Sequence, residues 1–125
     1  MTPLIFLLLA IAGGLGASVR FLFDGLLRTK LQTAYPWATT IINVSGSLVL
    51  GFLTGLTLTH LLPTDLSVII GTGFLGGYTT FSTASSETVQ LIKQGRYGWS
   101  LASGFGMLVL AVGAAGAGLW AAALI

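Results

Sequence analysis

The chain of 125 residues is 54% hydrophobic and only 6% charged, against about 25% charged residues in an ordinary soluble domain. So few charges cannot cover a soluble surface. Lipid is therefore the natural solvent, and the length allows about four spans of roughly 20 residues in a single bundle. The net charge of +2 is too small and scattered for a nucleic-acid surface, and with no cysteine there can be neither a disulfide framework nor a thiolate metal site.

The N-terminal run MTPLIFLLLAIAGGLGA has the small residues of a signal peptide behind it. It lacks a basic leading region, and its apolar character continues to Phe23, so it is expected to stay as a span. Segment one covers about Leu4 to Phe23. Arg20 near its end is expected either to snorkel to the interface or to lie against backbone carbonyls. A loop with Arg28, Lys30 and the cluster Tyr35-Pro36-Trp37 follows, with its aromatic rings suited to the headgroup level.

Segment two covers about Trp37 to Leu58 and carries Asn43 inside TTIINVSGS. A carboxamide at that depth must find partners on another helix or line a cavity, and its N–H donors suit an anion. A short connection from His60 to Asp65 around Pro63 leads into segment three, about Leu66 to Ile92. As one helix, residues 66–92 would reach about 40 Å across a core about 30 Å thick. Its middle is poor helix material: Gly76-Gly77 is followed by Thr79, Thr80, Ser82, Thr83, Ser85, Ser86 and Thr88. A break near 76–83 is expected, tolerable at membrane depth only where protein or a water-filled cavity satisfies the freed N–H and C=O groups. Hydroxyls can also bond back to their own helix, but so many within ten residues favour a polar pathway. Glu87, just past the break, is an intramembrane carboxylate and a functional candidate by default; a protonated or hydroxyl-bonded side chain near the membrane exit is its alternative. Segment four covers about Trp99 to Ile125. Gly51 with Gly55, Gly13 with Ala17 and Gly113 with Ala117 are small-xxx-small pairs for close helix packing.

A side-chain metal site and a nucleophilic triad both lack residues, since His60 is the sole histidine and no carboxylates cluster. No enzyme chemistry is expected. Hydroxyl donors, one amide and Phe81 at the break fit the passage of a small ion. The donors favour an anion, and so does the electropositive edge of a phenyl ring.

The run GFLGGYTTFST followed by Ser85 and Glu87, the segment TTIINVSGSLVLG with Asn43, and VRF around Arg20 together resemble the bacterial fluoride channels of the Fluc/CrcB family. The resemblance extends over the whole chain in length and span order. It implies an all-α membrane protein with a broken third span, assembled as an antiparallel dimer with two fluoride pathways, that lets fluoride leave the cell passively. It also implies that Gly76 and Thr79 offer backbone carbonyls to one structural Na⁺ held between subunits. By the same resemblance Phe81 is the first of a pore-lining phenylalanine pair and Asn43 a pore asparagine. Ser82, Thr83, Ser85 and Glu87 form a polar track, and Arg20 is an interfacial cation. Two positions depart from the pattern: Ala84 stands where the second phenylalanine is expected, and Ser103 lies near the place of a pore tyrosine.

The charges add an expectation about orientation. Arg28, Lys30, Lys93 and Arg96 flank one side, while the N-terminus, the 60–65 connection and the C-terminus carry no Lys or Arg. Short basic loops stay cytoplasmic, so both termini are expected outside. That bias and Ala84 point to one half of a heterodimer with a distinct paralogous chain, with an antiparallel homodimer as the alternative. The alternatives in other classes are a proton-coupled small four-span exporter and a mainly structural subunit of a heterodimeric channel.

Overall fold

The computed structural model describes residues 2–31 and 35–125, and their regular elements are all helical. Helix α1 spans Pro3–Lys30; Thr2 caps it by accepting from the Ile5 amide at 3.2 Å, and Pro3 occupies its first position, where an N–H would lack a partner anyway. The helix does not stop at Phe23, where the apolar run ends. Asp24 and Arg28 pair at 2.9 Å across one turn, an i,i+4 contact that favours continuation. Arg28 and Lys30 sit in the last turn, where cations meet the negative end of the helix dipole. The first basic loop is thus in part the end of α1, and residues 32–34 lie outside the described residues.

Helix α2 spans Trp37–Leu58. It ends with His60 at φ 63°, the one non-glycine residue with positive φ among the described residues, while the amides of His60 and Leu61 return to the carbonyls of Thr57 and Leu56. The third segment begins at Thr64 and is divided. Helix α3, residues 64–78, is α-helical at Thr64–Ser67 and Gly76–Tyr78 and π-wound over Val68–Leu75. Thr79 and Thr80 are extended, with ψ of 158° and 124°. Helix α4 then spans Phe81–Lys93. Gly95, at φ 74°, supplies the left-handed residue that turns the chain. Helix α5 spans Tyr97–Ala123, starting two residues before the expected Trp99, with a π-wound stretch at Ala102–Gly106. Three helices, α1, α2 and α5, are long and apolar enough to cross a membrane. The other segment is shared between α3 and α4.

Close backbone approach joins the helices in two pairs. A Cβ on Gly16 would overlap the Phe74 carbonyl, which locks α1 against α3. A Cβ on Gly51 would overlap Ala115, and one on Gly118 would overlap Leu48, which locks α2 against α5. Gly51 and Gly55 therefore act in packing as their spacing suggests, whereas Gly113 meets nothing within the chain. The partner of Gly51 on α5 is Ala115, a register that depends on how the two helices slide. Ile42, Leu75 and Tyr78 form the buried centre, with Phe23, Leu27, Leu53 and Phe74 around it. Most other large apolar side chains point outward, Phe21 and Leu22 among them.

Candidate functional site

Side chains from α1 and α2 satisfy part of the break. Lacking an i−4 carbonyl, the Thr80 amide donates to Asn43 Oδ1 at 2.8 Å, while Asn43 Nδ2 donates to the Thr80 carbonyl at 2.9 Å. One carboxamide on α2 thus pairs with both backbone polar groups of a single residue of the interruption. Thr79 N donates to the Leu75 carbonyl at 2.9 Å, and Arg20 Nε donates to the Gly77 carbonyl at 3.1 Å. Between the two expectations for Arg20, snorkelling or carbonyl contact, the geometry gives the second. The Thr80 hydroxyl accepts from the Thr83 amide at 3.2 Å and caps α4, as a threonine at an N-cap does.

Beside the break runs an open groove of about 820 Å³. Asn43, Thr79, Thr80, Phe81, Ser85 and Ser103 are among its lining residues, and no charged side chain is, among the described residues. Both π-wound stretches contribute to it, through Gly71, Thr72 and Leu75 on α3 and Ser103 and Gly104 on α5. Such distortions recur at functional sites. Phe81 stands 86% exposed at the mouth of the groove. The Ser85 hydroxyl, facing the same space, makes no hydrogen bond within the described residues.

Helix α4 distributes its polar residues over three faces. Phe81, Ala84, Ser85 and Thr88 line the groove, Ser82 and Ser86 are exposed, and Thr83 lies four residues before Glu87 on the side turned to α1 and α2. Glu87 Oε1 accepts from the Thr39 hydroxyl and, at 3.3 Å, from Arg28 Nη2. The same guanidinium donates through Nε to both Asp24 oxygens, at 3.0 and 2.9 Å. Glu87 lines a separate cleft of about 300 Å³, with Arg28, Arg96, Gln90 and Gln94. The expected track residues are therefore not collinear: Asn43, Phe81 and Ser85 share the groove, and Glu87 does not line it.

Thr88 and Ser103 stand out in the sequence, as a hydroxyl after the break and a departure from the family pattern, whereas Met107, Thr39 and Asp24 do not. Thr88 bonds back to the Ala84 carbonyl at 3.0 Å and meets Ser103 Oγ at 3.3 Å. Met107 Sδ lies 3.3 Å from Asn43 Nδ2. Thr39 and Asp24 complete the Arg28 cluster. The i,i+4 spacing of Asp24 and Arg28 was a readable signal, whereas the Thr39 and Met107 contacts join distant parts of the chain. No group of three or more His, Cys, Asp or Glu able to hold a metal occurs among the described residues.

A small helical membrane protein, with one helix interrupted beside a groove of apolar side chains and a few uncharged polar ones, is the class that these features define. The chain belongs to the CrcB-like family: residues 7–119 match the model described as CrcB-like protein, Camphor Resistance (CrcB). It is 57% identical to the fluoride-specific ion channel FluC 1 of Leifsonia xyli over 96% of this chain and 88% of that relative. It is 39% identical to FluC 1 of Streptomyces avermitilis, over 90% and 92% of the two chains, and 38% identical to FluC 2 of Mycobacterium bovis, over 98% and 94%. These relatives are named as channels and not as enzymes.

Proposed function

We propose that the chain is a subunit of a fluoride-specific ion channel, through which fluoride leaves the cell passively and its toxicity is relieved. The observation that carries this reading is the groove at the broken helix, lined by Asn43, the partner-free Ser85 hydroxyl and the exposed ring of Phe81 and, among the described residues, by no charged side chain. An uncharged lining favours rapid release, since conduction needs binding weak enough for the ion to leave. The family description names a resistance phenotype and no transported species, while the relatives' names specify fluoride. A proton-coupled exporter fits less well, because its titratable carboxylate belongs in the substrate path and Glu87 is bonded to Arg28 outside the groove.

The pathway lining in this reading is Asn43, Phe81 and Ser85. Ser82, exposed at the start of α4, meets the second subunit, and Thr83 and Glu87 lie toward the basic cleft. The second subunit is antiparallel and is either a copy of this chain or a paralogue, which fits the numbers 1, 2 and 3 in the relatives' names. Between the subunits the carbonyls of Gly76 and Thr79 would hold a Na⁺. Gly76 is exposed with open space on its Cβ side, and among the described residues no side chain donates to either carbonyl, in contrast to those of Gly77 and Thr80. Bare carbonyl oxygens suit a hard cation. When bound there, such an ion would offset the partial negative charge of these carbonyls.

Fluoride efflux from loaded liposomes tests the reading, with the chain reconstituted alone and with a paralogous partner. Efflux should be rapid, indifferent to an imposed pH gradient, and diminished when Na⁺ is replaced by a large organic cation. Efflux that required a proton gradient would support the exporter instead.

A further inference from the structure

We infer that Arg28 is a positioning residue for anion passage, acting as the counter-charge that keeps Glu87 from repelling the ion. The inference rests on the channel reading above. Glu87 is the only acidic residue of α4, the helix whose opposite side presents Phe81, Ser85 and Thr88 to the groove. A bare carboxylate there would raise the energy of any anion passing within one helix width, and in a low-dielectric surround the effect is weakly screened. The described contacts deal with that charge in two ways. Thr39 donates its hydroxyl to Glu87 Oε1, and Arg28 places Nη2 at 3.3 Å from both that oxygen and Thr39 Oγ1.

Asp24 fixes the guanidinium from the other side by taking its Nε. The Glu87 side chain is 20% exposed and that of Arg28 44%. The acid is therefore the more enclosed partner, and it loses more if the pair is broken. The groups facing Glu87 are Arg28 and, behind it, Asp24 from α1, Thr39 from α2, and across the cleft Tyr35 and Arg96. Arg28 is the one cation among them bonded to the carboxylate.

A purely mechanical tie between α1 and α4 would give the same contacts, so the test must separate charge from scaffolding. Arg28→Met keeps the apolar stem and removes the charge. Arg28→Gln removes the charge and keeps donors for Asp24 and Thr39. Each should slow fluoride efflux about fivefold or more, because the unpaired charge of Glu87 then acts on the pathway across the width of α4. Adding Glu87→Gln to either should recover most of the loss, and Arg28→Lys should conduct nearly as well as the parent.

Two results overturn the inference while leaving the channel reading intact. One is undiminished efflux through Arg28→Gln. The other is slowed efflux with no rescue by Glu87→Gln, which assigns Arg28 to scaffolding. Parent liposomes that retain their fluoride, alone and with a partner chain, refute the channel reading itself and the inference with it.

Discussion

Asn43 carries the highest stakes of any single side chain. Its carboxamide satisfies both polar groups of Thr80, and replacement by alanine would strand an N–H and a C=O at the break. Such losses cost about 1–3 kcal/mol per group in a buried site, and less where the membrane-embedded unfolded state finds other partners. We expect Asn43→Ala to lower stability by about 1–2 kcal/mol on the same grounds, read as a drop in the detergent unfolding midpoint, and to slow fluoride efflux. Asn43→Asp, which can accept from the amide but cannot donate to the carbonyl, should fall between the two. An unchanged midpoint for Asn43→Ala would mean that the break holds without the amide. That this residue needed partners was legible in the sequence, since an amide inside a span cannot remain unpaired. Which partners it has was not, because Thr80 is 37 residues away and only the packing of α2 on the break brings them together.

At the scale of elements, glycine spacing and glycine function part company. Gly16 presses on the Phe74 carbonyl, so Gly16→Ala must force α1 away from α3. A cost of about 2 kcal/mol or more follows from overpacking at a backbone contact. Gly25, on the same helix, has nothing within 4 Å of a would-be Cβ. Gly25→Ala should therefore stabilise the chain by about 0.5–1 kcal/mol, the ordinary propensity gain. Unfolding of the two variants side by side checks both, and a mild Gly16→Ala would contradict the close α1–α3 contact. The break itself was foreseen near 76–83 from the Gly and hydroxyl content. Its confinement to Thr79 and Thr80 reflects the Thr80 cap and the Asn43 pairing. The length of α1 was underestimated because an apolar count stops at Asp24, whereas the Asp24–Arg28 pair lets the helix run on.

The whole molecule puts Arg28 and Arg96 around one cleft, so the two basic connections lie at the same end of the bundle. With the opposite end free of Lys and Arg in the sequence, cysteines introduced from outside the membrane should report a single orientation. Thr64→Cys should react with an impermeant maleimide on intact cells, and Gln94→Cys should not. Equal labelling of both would establish dual insertion and remove the argument for a paralogous partner.

The sequence by itself determined the solvent, the helical class, the interrupted third segment and the side on which the basic residues gather. Composition, hydropathy length and local breakers act over a few turns and are read without knowing how the helices pack. Only the tertiary structure decided which hydroxyls share a space. On α4 successive residues are turned by about 100°, so a run that looks continuous in sequence divides among the groove, the outer surface and the cleft of Arg28 and Glu87. Which face meets which neighbour is fixed by the glycine contacts of α1 with α3 and of α2 with α5, and those depend on side-chain shape across distant segments.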